Sequence, residues 1–351
     1  MPIVQADQLR AIAAGLMEAA GAKREHAEII ARHTTGANLA GHDSHGIILV
    51  PTYIDRIKKN HIEPLAEYEV TRETDATLTV DGHWGFGYVV SEYTMGRVIE
   101  KARAHGVGAA TVFRQSHVGR VADYPLMAAA EGMIGMMTAD SGRSAKAVVP
   151  FGGRETRLGT NPICITMPSN LDGPLYVDMA TSAVAAGKIN VAVARGATEV
   201  PEGWLIDKNG TATRDPNALR DGGALLPLGG SEGYKGYGLS VMVEILSGIL
   251  PGLGFGHEPS GRHNDGIFMA AFRVDAFLDL DQFKSEVTEF AHYLKATPKA
   301  EGFDEIYYPG EIEYLTTQRK LVDGVDIEDS TWAKLTALGE EYGLSGALGL
   351  G

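Results

Sequence analysis

The chain has 351 residues, 44% of them hydrophobic, with 44 Gly and 15 Pro, the composition of a globular protein with one large core or two moderate ones. Its formal net charge is −14 and no run of Lys and Arg exceeds two residues, as at Lys58-Lys59, so the basic footprint that nucleic acid requires is missing. No basic stretch followed by an apolar one opens the chain and no segment offers about 18 uninterrupted apolar residues, so the expectation is a cytoplasmic protein without a membrane span.

Leu9, Ile12, Ala13, Leu16, Met17 and Ala20 recur at helical spacing, and Ala27, Ile30 and Ala31 mark a second helix from about Lys23, ahead of Gly36 and Gly41. Beyond Pro64 the pattern changes to alternating runs such as Ala76-Thr77-Leu78-Thr79-Val80, which stop at the turn pair Asp81-Gly82 and place a domain boundary near residue 65. A helix over about 89–105, closed by Gly106, then leads to a strand over 107–113, a helix from Val121 and a strand over 132–138. Strands over 163–167 and 175–177 follow. A long helix then runs over 235–249 up to Pro251-Gly252, and helices over 283–294, 314–321 and 332–342 end the chain. The single cysteine, Cys164, sits in the apolar run Pro162-Ile163-Cys164-Ile165 and reads as a small buried hydrophobe.

Common nucleotide and metal signatures fail. No G-x-G-x-x-G follows a strand, and Ala186-Gly187-Lys188-Ile189 lacks the first Gly and the Ser/Thr of a phosphate loop. There is no H-E-x-x-H and no Cys pair, and His42 and His45 have no third ligand nearby, so no metal is expected. The densest polar cluster is Gly41-His42-Asp43-Ser44-His45-Gly46. A histidine beside a hydroxyl in a Gly-flanked turn can have its tautomer fixed and pass a proton to a developing alkoxide; the same residues can equally cap a helix end.

Further motifs are Ser116-His117-Val118-Gly119-Arg120, Arg157-Leu158-Gly159-Thr160-Asn161-Pro162, Val177-Asp178-Met179-Ala180-Thr181-Ser182, Gly233-Tyr234-Lys235-Gly236-Tyr237-Gly238 and Pro309-Gly310-Glu311. With residues 41–46 they resemble, in order and over essentially the whole chain, the type-2 malate/L-lactate dehydrogenase family, most of all its hydroxycarboxylate dehydrogenase B branch. The resemblance implies an α+β, non-Rossmann protein. A mixed-sheet cofactor domain (66–279) would join a helical domain built from both chain ends (1–65 and 280–351), in a homodimer. It implies exchange of a hydride between NAD or NADP and a small 2-oxo or 2-hydroxy acid, with imine reduction and cofactor binding without catalysis as the alternatives.

By the same resemblance His45 donates the proton to the substrate oxygen and Ser44 orients it, while His117 lines the junction of substrate and nicotinamide and is the other candidate acid. Val118, Gly119, Asp178, Met179, Ala180, Lys235, Gly236, Pro309, Gly310 and Glu311 would surround the dinucleotide, and Thr160 the substrate. Taken without the family, Lys235 at a helix start is either a phosphate partner or a solvated lysine, and Asp178 is either a ligand or the N-cap of a helix beginning near Ser182. The chain departs from the family at Leu49, where many relatives carry an Arg that grips the substrate carboxylate. Arg120 is the candidate replacement, with a cofactor phosphate or Asp123 as its other possible partners, and Leu49 and Ile48 would form an apolar wall.

Overall fold

The computed structural model describes residues 1–140, 146–194, 196–257, 262 and 264–350. The chain begins with β1 (Ile3–Val4), α1 (Ala6–Ala19), α2 (Arg24–Leu39) and α3 (Val50–Lys58). It continues through β2 (Glu69–Glu73), β3 (Thr77–Gly85), α4 (Gly87–His105), β4 (Val107–Gln115), α5 (Pro125–Ala130), β5 (Met133–Ala139), β6 (Ile163–Met167) and β7 (Leu175–Met179). Then come α6 (Ala186–Ala194), the short strands β8 (Leu205–Ile206), β9 (Ala212–Thr213) and β10 (Ala224–Leu225), and α7 (Tyr234–Glu244). Last are β11 (Ile267–Arg273), α8 (Leu280–Lys295), α9 (Glu311–Asp323), β12 (Val325–Asp326), α10 (Asp329–Glu341) and the one-turn α11 (Ser345–Leu348).

The fold is α+β around a mixed sheet of seven strands in the order β2-β3-β4-β11-β5-β6-β7. Only β3 and β4 run parallel, joined by the crossover helix α4; every other neighbouring pair is antiparallel. Cys164 is buried and free, opposite Met137 on β5 and Asp178 on β7. Leu78, Val80, Val98, Val112, Met137 and Met269 bury the apolar side chains of the sheet and of α4 in one core. A second core gathers Leu9, Ile12, Leu16, Ile30 and Ile54 with Val325, Leu335 and Leu350, so both chain ends close on the same helices. The apolar spacing of α1 is the spacing of its buried residues. Phe86, Tyr88 and Val89, at the entry to α4, pack in the helical core while the rest of α4 covers the sheet, which places the junction of the two cores at that point. The remaining helix of the C-terminal part, α8, lies beside the sheet's loops: Asn170 donates its backbone N–H to Thr288, and Gly132 lies against Leu280.

The structure corrects several sequence expectations. The strand expected to stop at Asp81-Gly82 continues to Gly85 with an irregular register, because Asp81 pairs with Arg114 and a Cβ at Gly82 would stand 2.9 Å from the Arg114 carbonyl. That glycine serves close approach to β4 rather than a turn. The helix from Val121 is a single 3₁₀ turn, Val121–Asp123, before the short α5. The long helix keeps its expected extent, as an α-helix to Glu244 and then one π turn, Ile245–Ile249. Two strands of the main sheet, β2 and β11, went unrecognised: β2 is an exposed charged edge, and β11 is an apolar run covered on both sides, so neither alternates.

Candidate active site

The turn after α2 is built by Asn38. Its Nδ2 donates to Asp43 Oδ1 at 2.8 Å, and its Oδ1 accepts the Ile47 N–H at 2.8 Å. Lys320 of α9 donates to the Asn38 carbonyl at 2.7 Å, tying the turn to the C-terminal helices. A Cβ at Gly46 would lie 2.2 Å from Asn38 Oδ1, so the turn closes this tightly only around glycine. Within it, Ser44 Oγ lies 3.1 Å from His45 Nδ1. Burial first, and then the neighbouring charge of His42, push the His45 imidazole down to about 4, so the ring is neutral at neutral pH. With the Ser44 hydroxyl donating to Nδ1, the ring proton sits on Nε2; in the opposite tautomer Nε2 is a base.

His117, just beyond β4, stacks on His45 with ring centroids 5.8 Å apart and planes 18° from parallel. Its Nδ1 faces the Tyr53 hydroxyl at 2.8 Å and the Gly119 N–H at 3.3 Å. A backbone N–H can only donate, so Nδ1 is the acceptor and Nε2 of this neutral ring carries the proton. Tyr53 also bonds the Tyr88 hydroxyl at 2.9 Å, and burial pushes both phenols well above their ordinary pKa, so they stay protonated donors. Asp265 accepts the Val118 N–H at 3.1 Å, and a Cβ at Gly119 would meet the Tyr88 ring at 2.2 Å. The loop carrying His117 is thus held from both sides.

Arg120 is nearly buried, its side chain 10% exposed. Its Nε stands 3.2 Å from Asp123 Oδ1 without a well-formed hydrogen bond, one Nη is 3.5 Å from the Tyr176 hydroxyl, and the guanidinium lies 5.8 Å from the Tyr176 ring centre. Asp178 accepts the Ala122 N–H at 2.9 Å from the end of β7. It therefore caps no helix at Ser182; the next helix starts at Ala186, and the carboxylate instead faces the Arg120 side. Glu313 of α9 pairs with His42 at 3.5 Å, a contact that leads in lowering the Glu313 pKa, with the Arg120 charge adding to it. Ser44, His45, His117, Arg120 and Asp178 are thereby brought to the junction of the two cores, and sequence reasoning missed Tyr53, Tyr176, Asp265 and Glu313 there.

Leu49 packs on the helical core. The Thr160 carbonyl accepts the Thr181 N–H at 2.9 Å, and the Thr181 carbonyl accepts the Leu228 N–H at 3.0 Å. That ladder carries Met179 and Ala180, at the end of β7, towards α7, where a Cβ at Gly236 would stand 2.2 Å from the Leu228 carbonyl. Lys235, 66% exposed on its side chain, meets Glu232 at 3.3 Å. The Pro309 carbonyl accepts the Tyr176 N–H at 3.1 Å, and Gly310 sits at φ 94° against Pro174. Glu311 pairs with Lys295 and accepts the Tyr308 N–H, so its carboxylate is already engaged. Gly119, Gly236 and Gly310 are thus each required by packing. The donors present fit a dinucleotide phosphate, since the 11-residue helix α7 opens with unpaired N–H groups beside an exposed ammonium. Among the described residues no group of three or more His, Cys, Asp or Glu could hold a metal ion.

A family model described as malate/L-lactate dehydrogenase matches residues 4–336. The chain is 36% identical to a malate dehydrogenase of Pyrococcus abyssi, covering 97% of this chain and 95% of the relative. It is 33% identical to hydroxycarboxylate dehydrogenase B of Escherichia coli O157:H7, over 92% and 90%. The crystal structure of malate dehydrogenase from Entamoeba histolytica superposes with a TM-score of 0.93 at 35% identity, covering 97% and 98%.

Proposed function

Because the chain belongs to the malate/L-lactate dehydrogenase family, we propose that it interconverts a small 2-oxo acid and its 2-hydroxy acid, using NAD or NADP, with His45 as the proton donor. The observation that carries this is the stack of His45 on His117, with Ser44 bonded to the first ring and Tyr53 to the second. A histidine whose tautomer is fixed by Ser44, stacked on a second hydrogen-bonded imidazole, is what proton transfer to one oxygen requires, and a binding-only protein gains nothing from it.

The dinucleotide, when bound, exchanges a hydride with the substrate C2 carbon. The chain's own groups do the rest. Ser44 Oγ, accepting from Nδ1–H, leaves the His45 Nε2 lone pair to take the proton of the hydroxy acid in oxidation, and the imidazolium so formed gives it from Nε2 to the carbonyl oxygen in reduction. Tyr53 and the Gly119 N–H keep the His117 Nε2–H as a second donor beside it. Arg120, in a nearly dry site with guanidinium N–H groups still open, holds the substrate carboxylate in place of the arginine that Leu49 replaces. Lys235 and the first turn of α7 take the pyrophosphate. Assembly as a homodimer is supported by the exposed Tyr234, Met242, Ile245, Ile249, Leu250 and Phe255 along and beyond α7.

A panel of 2-oxo acids and cyclic imines, each with NADH and NADPH and followed by loss of nicotinamide absorbance, tests the proposal. Turnover of at least one 2-oxo acid is expected. Turnover of cyclic imines alone would reassign the enzyme as an imine reductase, and none with any substrate would leave a binding protein.

A further inference from the structure

His33 of α2 is 5% exposed on its side chain and stands between two carboxylates: Nδ1 is 2.8 Å from Asp123 Oδ2 and Nε2 is 2.8 Å from Glu92 Oε2. Ionised carboxylates only accept, and a neutral imidazole has one N–H, so both contacts are satisfied together only by the imidazolium. The ring lies between Tyr88, at 5.5 Å, and Tyr124, at 5.3 Å. Glu92 is held in turn by Arg32, at 2.8 and 2.7 Å, a residue at the surface. An alternating row of charges, Arg32, Glu92, His33, Asp123 and Arg120, therefore runs from solvent to the candidate active site.

Asp123 is the informative member. Its Oδ2 belongs to His33, and Oδ1 is its oxygen nearest Arg120. A carboxylate with both oxygens open would take a guanidinium in a two-pronged pair and satisfy that edge of it. We propose that His33 is a positioning residue: its imidazolium occupies one oxygen of Asp123, prevents a closed Asp123–Arg120 fork, and leaves the Arg120 edge and its charge for the substrate carboxylate. The inference rests on Arg120 as the substrate's partner. It adds a consequence, that the affinity for the acid is set by the protonation of a residue in another helix.

Burial opposes the charge on His33, but the hydrogen bonds it donates to Asp123 and Glu92, with their charges, outweigh it and hold the imidazolium above its ordinary pKa of 6.5. The groups facing the row are Glu92 and Tyr88 on α4, Tyr124 beside α5, Arg32 on α2 itself, Tyr176 and Asp178 of β7, which act on Arg120, and His42, which meets Glu313 of α9 and also acts on Asp123. Below the raised pKa the ring is charged and Arg120 is open. As pH rises through it, Asp123 reverts to Arg120 alone and the site loses affinity for carboxylates.

The test is the dissociation constant of oxamate, an unreactive 2-oxo acid analogue, measured with NADH or NADPH bound from about pH 6 to about pH 10. In the unaltered protein it should rise by on the order of 10-fold above neutral pH. His33→Phe, a shape match between two tyrosines, should bind oxamate weakly at every pH with unchanged cofactor affinity. Should that variant fail to fold, Glu92→Gln keeps His33 and Asp123 and removes one stabilising charge, so the rise should move to lower pH. NMR at neutral pH should find both His33 ring nitrogens protonated. A neutral ring, a flat oxamate profile, or an unmoved midpoint in Glu92→Gln would each overturn the proposal. Arg120→Met separates the two levels: unchanged oxamate affinity there removes the Arg120 assignment as well, whereas weakened binding with an unmoved midpoint removes only the role of His33.

Discussion

Ser44 and His45 were legible in the sequence because the group that fixes the tautomer is the adjacent residue. The contacts of Tyr53 with His117 and of His33 with Asp123 were not, since they join positions 64 and 90 apart and local spacing carries no information on them. The lowered His45 pKa gives a pH prediction. Hydroxy acid oxidation needs the neutral base, so its kcat/KM should hold level from neutral pH downward and fall only near about 4. Reduction needs the protonated ring and should weaken as pH rises over the same range. A fall in oxidation already near the ordinary histidine value would assign proton transfer to another group. Arg120→Met should lower kcat/KM for the oxo acid by about 2–4 kcal/mol while leaving the cofactor dissociation constant intact. A loss confined to NAD(P)H binding would place Arg120 on a phosphate instead. Leu49→Arg in that background should restore part of the activity towards short, polar acids.

Helices with a clear apolar stripe, such as α1, and strands bounded by turn residues, such as β6, could be read directly. The elements that could not are those whose environment is set by distant chain: β11 lies between β4 and β5 and is covered on both sides, so its run Ile267–Arg273 shows no period. Gly82 and Gly236 carried a similar ambiguity, because a glycine that permits close approach looks the same in sequence as one that permits a turn. In an exposed helix Gly→Ala stabilises by about 0.5–1 kcal/mol. Gly236→Ala should reverse that sign, since its methyl would stand 2.2 Å from the Leu228 carbonyl; overpacking of this kind costs about 1–3 kcal/mol. Thermal unfolding measures it, and an unchanged or higher melting temperature would show that α7 shifts freely.

The whole molecule closes both chain ends on one helical core and sets that core against the sheet where α4 begins, and the candidate residues meet along this line. No helix among the described residues is long and apolar enough to cross a membrane. The apolar row from Tyr234 to Phe255 predicts self-association, and light scattering should give twice the 37.4 kDa chain mass or more at micromolar concentration. An active monomer would contradict that assembly. Whether His45 moves the proton is tested most directly by His45→Gln, with turnover and cofactor affinity measured on one sample. Turnover should fall by on the order of 100-fold or more. Cofactor fluorescence should report an unchanged dissociation constant. Full turnover in His45→Gln would contradict the assignment and move the proton donor to His117.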